Sequence, residues 1–129
     1  VMLSLPSLGE IDRQTAAKIY FCVAPTDMRK GFDTLAVLVR DLLRRDPLSG
    51  HLFLFLSRRR DRMKILYWDG DGFALWYKRL EQGTFRMPRT TSRSSSLELK
   101  ASELAMLLDG IDLRSVRRSP RLRLGTKRG

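Results

Sequence analysis

The chain contains very little of the residue types on which many enzymes and most small secreted proteins depend. It has one cysteine and one histidine among its 129 residues. A single cysteine excludes an internal disulfide and is compatible with a reducing cytoplasm. Cys22 lies in the apolar run IYFCV, which favours a small core residue over a nucleophile. His51 has no acid or cysteine near it in the sequence, so we expect a structural or surface role.

Long apolar runs are also missing. No stretch approaches the roughly 20 apolar residues that a membrane-spanning helix needs. The apolar start VMLSLPSLG lacks a basic region and soon reaches Glu10 and Asp12, which is untypical of a signal peptide. We therefore expect a cytoplasmic protein without a membrane partner, and the length of 129 residues fits one folded domain.

Acidic residues are scarce relative to basic ones. The chain has 14 Asp and Glu against 25 Lys and Arg, for a net charge of +11. Such an excess indicates a polyanionic partner, most commonly nucleic acid. Seven of the cations and none of the acids lie in residues 114–129. We predict that 114–129 is a disordered basic tail, that 1–18 is an N-terminal extension, and that 19–113 is the single domain.

The pattern of apolar residues predicts an α+β fold. Helical spacing from Met28 to Leu43 predicts one long N-terminal helix, with Thr26 and Asp27 as candidate caps. A short C-terminal helix is predicted after Ser102, with Gly110 as its stop. The remaining runs predict an antiparallel β-meander of about four to five strands, at 18–23, 51–56, 63–69, 73–80 and 97–100, with a further short strand at 83–86.

Basic residues cluster in three places within this pattern. Arg29 and Lys30 follow the candidate caps, where cations oppose the helix dipole unless an anion arrives. The alternative is that both lie in solvent. Four arginines crowd the loop 57–62, and a tight turn at DGDG (69–72) would return Lys78 and Arg79 to the same end of the sheet. The predicted nucleic-acid-binding residues are Arg29, Lys30, Arg58, Arg59, Arg60, Arg62, Lys64, Lys78 and Arg79.

The candidates for catalysis and for metal binding are weak. Asp69 and Asp71 lack the further oxygen ligands and closing Glu of a calcium loop, so turn chemistry explains them better. No Ser–His–Asp spacing, phosphate loop or zinc cluster is present in the sequence. A metal-dependent nuclease would need several carboxylates to converge, and nothing in the spacing of Asp27, Asp33, Asp46, Asp61 and Asp69 selects such a site. This hypothesis predicts cleavage that is lost when Asp27, Asp61 or Asp69 is changed. We predict no catalytic residue, metal or cofactor.

The aromatic residues around DGDG could stack on bases, but strand spacing favours core packing.

Three long stretches resemble one known family: TDMRKGFDTLAVLV, DPLSGHLFLFLSRRRDRMKILYWDGDGFALWYKRLEQGTF and ELAMLLDGID. They are similar to the accessory protein encoded by the second open reading frame of insertion-sequence 66 elements in bacteria. It is called the TnpB of that family and is unrelated to the RNA-guided nuclease of the same name. The likeness runs from about Ile19 to Leu113. The matching positions are Thr26 to Gly31, Arg58 to Asp61, Lys64, Trp68 to Gly70, Gly72 and Lys78 to Leu80.

The resemblance implies a protein that is encoded beside a separate transposase and is needed for efficient transposition. It does not imply strand cleavage, and it supplies no catalytic roles. Our leading hypothesis is therefore a non-catalytic accessory factor that binds DNA through the basic clusters. The alternatives are an adaptor that contacts the transposase without reading DNA and, more remotely, a metal-dependent nuclease.

Overall fold

The computed structural model describes residues 17–86 and 93–109. They form β1 (Ile19–Cys22), α1 (Phe32–Asp41), β2 (Leu52–Leu56), β3 (Arg62–Trp68), β4 (Phe73–Arg79), β5 (Ser96–Leu99) and α2 (Ala101–Leu108). The predicted α+β class is thereby confirmed. Most of the predicted N-terminal extension, the helix stop at Gly110 and the basic tail lie outside the described residues. Within those ranges, neither helix has the length and apolar character that crossing a membrane requires.

The five strands form one mixed sheet in the order β4-β3-β2-β1-β5. β2, β3 and β4 make the predicted antiparallel meander. β1, however, runs parallel to β2, with Ile19 opposite Leu52. The prediction of a wholly antiparallel sheet was wrong because α1 carries the chain back along the sheet, so that β2 starts at the same end as β1. β2 is buried over its whole length, as its apolar character on both faces predicts.

α1 is shorter than the helical spacing predicted, since it begins only at Phe32. The Asp27 carboxylate accepts the backbone N–H of Arg29 at 2.9 Å, and the Lys30 N–H donates to the Asp27 carbonyl at 3.1 Å. These bonds close a separate turn, and the residue ahead of α1 is an N-cap with extended backbone. The prediction of one long N-terminal helix was therefore wrong, because a side-chain-supported turn takes the N–H groups of its expected first turn.

The two helices cover opposite faces of the sheet. α1 packs Leu35 and Val39 onto one face, which we call the α1 face. α2 packs Leu104 and Leu107 onto the other, the α2 face. Because side chains alternate along a strand, neighbouring residues of β3 and β4 divide between these two faces. The α1 face of the two strands carries Arg62, Lys64, Leu66, Tyr77 and Arg79, and the α2 face carries Met63, Ile65, Trp76 and Lys78.

The segments before and after residues 87–92 differ from prediction in detail. Residues 83–86 form no strand; Phe85 is instead fully buried, and its N–H donates to the Arg60 carbonyl at 2.7 Å. The predicted edge strand and small helix are confirmed as β5 and α2. The N-cap of α2 is Lys100 and not Ser102, and the Lys100 N–H donates to the Glu103 carboxylate at 2.7 Å.

Candidate nucleic-acid interface

Three loops meet at one end of the sheet, together with the start of β3 and the last residues of β4. The loops are 23–31, 57–61 and 80–86, and we call this region the basic end. Parallel pairing brings the carboxyl ends of β1 and β2 here, and the Thr26 N–H donates to the Leu56 carbonyl at 2.9 Å. The Leu80 N–H donates to the Asp61 carbonyl at 2.8 Å, so backbone hydrogen bonds tie the loop 23–31 to the end of β2 and the loop 80–86 to the loop 57–61.

The tip of the β2–β3 hairpin presents three arginines to solvent. Arg58, Arg59 and Arg60 are exposed, and none of them forms an ion pair with another described residue. The turn beneath them is ordered by hydrogen bonds, since the Arg60 N–H donates to the Ser57 carbonyl at 2.9 Å. The Ser57 hydroxyl also donates to the Asp61 carboxylate at 3.2 Å, which holds this acid in the turn. The hairpin therefore fixes three charged groups on a defined backbone.

A second pair of arginines extends this charge onto the α1 face. Arg62 lies directly opposite Arg79 in the β3–β4 register, so the return of β4 to the basic end is confirmed. Like charges in directly opposed positions destabilise a sheet. Glu81 offsets one of them through an ion pair with Arg79 at 3.0 Å, between side chains that are both largely exposed. An arriving anion would offset both.

Arg29 and Lys30 also lie at the basic end, but not in a helix. The Arg29 guanidinium contacts both carboxylate oxygens of Asp27, with a shortest distance of 2.7 Å. The hydrogen bond from Arg29 lowers the pKa of the Asp27 carboxyl to about 2. The Arg29 side chain remains 91% exposed, so this exposed pair leaves much of its guanidinium open to solvent. Neither cation occupies the first turn of a helix, because α1 begins after both residues.

Lys64, a predicted surface cation, points inward. It is 7% exposed, and its ammonium donates to the carbonyls of Met28 at 2.7 Å and Lys30 at 2.8 Å. The same ammonium lies 4.8 Å from the centroid of the Tyr77 ring, within cation–π range. These contacts satisfy a buried charge, which would otherwise be costly. Lys64 thus holds the turn that carries Arg29 against the sheet.

Lys78 is likewise directed to a backbone acceptor. Its ammonium donates to the Leu108 carbonyl at 2.7 Å, at the C-terminal end of α2. A cation is favourable there because the last carbonyls of a helix lack intrahelical donors. Of the nine predicted binding residues, five are exposed, three are half-buried and one is buried: Arg29, Arg58, Arg59, Arg60 and Arg79 are exposed, Lys30, Arg62 and Lys78 are half-buried, and Lys64 is buried.

The sequence placed Tyr77 among the aromatic residues around the DGDG turn, for which strand spacing favoured core packing over stacking on bases. The Tyr77 side chain is on the α1 face, 49% exposed, two positions before Arg79. The other aromatic residues near the DGDG turn are more enclosed: Tyr67 is buried, and Trp68 packs edge-to-face on Phe73 at 5.1 Å. Lys64, directly opposite Tyr77 in the register, was the available signal, because a lysine in the middle of an apolar strand requires a partner.

Of the three aspartates that a nuclease would use, Asp27 and Asp61 lie in loops of the basic end, but Asp69 does not. Asp69 lies at the other end of β3, in a turn that its N–H closes to the Gly72 carbonyl at 2.8 Å, and a seven-residue strand separates it from Asp61. Among residues 17–86 and 93–109, no three His, Cys, Asp or Glu side chains are grouped so as to hold a metal ion. Cys22 is buried, and burial raises the pKa of its thiol, which disfavours the thiolate.

Comparison with known proteins identifies the family. The model of the IS66 Orf2-like proteins matches residues 17–118. Two uncharacterized proteins of Sinorhizobium fredii (strain NBRC 101917 / NGR234) are similar: y4jC is 36% identical over 103 residues, which cover 80% of this chain and 86% of y4jC. The second, y4hO, is 36% identical over 97 residues, which cover 75% and 83%. No solved structure gives a significant match. The chain belongs to the family of IS66 Orf2-like proteins.

Proposed function

We propose that this protein is a non-catalytic accessory factor in the transposition of its insertion sequence and that it binds the DNA backbone through the basic end. The observation that carries the proposal is the hairpin tip, where Arg58, Arg59 and Arg60 stand exposed without ion pairs among the described residues. Family membership supports a role in transposition.

The mechanism is electrostatic. A guanidinium group forms two parallel hydrogen bonds to a phosphate, and each phosphate that is neutralised releases condensed counterions from the duplex. Arg62 and Arg79 extend the contact from the hairpin tip onto the sheet, and Arg29 adds a further guanidinium on the turn held by Lys64. Contacts of this kind position a protein on DNA and supply affinity, but they carry little sequence information. We therefore expect binding that tolerates changes of DNA sequence.

The test is a salt series of binding to a duplex that carries the terminal repeat of the element, compared with a scrambled duplex. The informative variant replaces Arg58, Arg59 and Arg60 with Ser. The control replaces three exposed cations outside the basic end, Arg40, Arg44 and Lys100, with Ser, so the loss of net charge is the same. Both are also made in a chain that ends at residue 113, which removes the contribution of the basic tail.

We expect the hairpin variant to lower the slope of log K against log salt by about 2–3, and the control to lower it by less than about 1. The scrambled duplex should bind nearly as well as the repeat. If the two variants lower the salt slope equally, the basic end contributes no more to DNA binding than any other positive charge on the surface. Unchanged binding by the hairpin variant would overturn the DNA proposal, and the transposase of the same element would become the partner to test for contact with these arginines.

A further inference from the structure

β4 forms an outer edge of the sheet and lacks the features that usually keep an edge strand from pairing with another strand. No strand in the described ranges pairs with its outer side. All seven of its residues are half-buried or exposed, and the first five, from Phe73 to Tyr77, are all apolar or aromatic. Its pairing with β3 runs without a break from Arg62 opposite Arg79 to Trp68 opposite Phe73, so no bulge turns the edge away from solvent.

The other edge shows the usual protection. β5 has only four residues, and one of them is the exposed Glu98. Natural sheets keep edge strands short, charged or bulged, because a long apolar edge is a template for pairing with another strand. β4 has its charged residues, Lys78 and Arg79, only at one end, and its centre has no such protection. An edge of this kind is expected to be covered by another strand.

We propose that β4 pairs with β4 of a second copy of this chain, antiparallel and about a twofold axis at Leu75. Side chains directly opposed across the new pair would then share a face, as in any antiparallel ladder. In this register Phe73 of each copy lies opposite Tyr77 of the other, which is a favourable aromatic cross-strand pair. Leu75 meets its own symmetry mate.

The charges near the two ends of β4 single out a second copy as the occupant. The turn ahead of the strand carries Asp69 and Asp71, and the strand ends with Lys78 and Arg79. Antiparallel pairing about Leu75 places Asp71 of one copy opposite Arg79 of the other, twice in each dimer. Self-complementarity of this kind is what a twofold interface requires. The inference does not depend on DNA binding.

The first test is a charge exchange measured by sedimentation equilibrium of the full chain without DNA. Asp71→Arg and Arg79→Asp should each weaken the dimer about tenfold, because each change places like charges together at two symmetry-related positions. The double variant, which carries both changes, should recover dimerisation. The matched controls are Asp33→Arg and Arg40→Asp: Asp33 is an exposed aspartate, and Arg40, like Arg79, has an exposed carboxylate partner.

The second measurement is hydrogen exchange of β4, which requires no substitution. Amides on the outer side of 73–79 should gain protection as the protein concentration rises through the range of dimerisation, while those of β5 should not. A monomer at every concentration would overturn the proposal, as would a dimer that is indifferent to both charge changes. Protection of β4 that does not depend on concentration would also overturn it, by placing a segment of the same chain on this edge.

Discussion

The cations near the basic end form two groups that differ in what their charges contact. One group is at the tip of the β2–β3 hairpin and consists of Arg58, Arg59 and Arg60. The other is on the strands that follow and consists of Lys64 and Lys78. The three arginines are exposed and have no ion-pair partner among the described residues. The two lysines donate to backbone carbonyls, of Met28 and Lys30 in one case and of Leu108 in the other. Cations of one basic region are thus divided between those that are open to solvent and those that are bonded to the backbone.

The difference shows that net charge alone does not measure a binding surface. A lysine in a strand can lay its apolar stem along the sheet and satisfy its ammonium with carbonyls at the margin. The three arginines at the hairpin tip are exposed and, within the described ranges, have no ion pair, so their guanidinium groups remain open to solvent. Removing one of the strand lysines should therefore lower the free energy of unfolding, and removing one of the hairpin-tip arginines should lower the affinity for DNA.

The largest effect is expected for Lys64→Met, which keeps the volume of the stem but removes the buried ammonium. The carbonyls of Met28 and Lys30 lose their donor, and the cation–π contact with Tyr77 disappears. We expect the free energy of unfolding to fall by about 2–4 kcal/mol, since charge-assisted bonds are lost and buried acceptors are left unpaired. Urea denaturation monitored by tryptophan fluorescence measures this change.

Lys100→Met is the control, because the Lys100 side chain is exposed; its effect should stay within about 0.5 kcal/mol. Hydrogen exchange adds a spatial readout, since residues 27–31 should lose protection in Lys64→Met more than β2 does. A loss of stability below about 1 kcal/mol would show that the ammonium is not needed to hold the turn, and that Lys64 is available to a ligand.

Local patterns explain which of these features could be predicted from the sequence. Continuous apolar character identified β2, and the DGDG turn fixed the antiparallel return that sets Arg79 opposite Arg62. The contacts of Lys64 could not be predicted in the same way, because its acceptors are 36 and 34 residues away along the chain. The start of α1 was missed because helical spacing records only which residues are apolar, and a turn stabilised by Asp27 replaces the first helical turn without changing that pattern.

Arg60→Gly is expected to have a smaller effect. It should raise the stability of the fold and weaken DNA binding. Arg60 has φ of 65°, in the left-handed region that glycine adopts without strain. The substitution should raise the free energy of unfolding by about 0.5–1 kcal/mol and still weaken DNA binding by removing one cation. Arg58→Gly is the control: Arg58 has no positive φ, so this variant should lose affinity without gaining stability. A fall in stability for Arg60→Gly would contradict the assignment of strain to this turn.

The smallest effect is expected at His51, which lies at the end of the sheet opposite the basic end. Its imidazole is neutral in the folded protein. Its Nδ1 accepts the Lys18 N–H at 2.9 Å, which requires an unprotonated nitrogen. Burial, aided by the charges of Arg45 and Lys18, lowers the pKa of His51 below its ordinary value of 6.5. The unfolded chain therefore binds the proton more readily, so stability is complete above pH 6.5 and falls as the pH drops through the folded-state pKa.

Urea midpoints between pH 7.5 and about 5 should decline in the parent and stay nearly level in His51→Asn, which retains an acceptor but cannot titrate. A decline of the same size in both proteins would assign the pH dependence to other groups.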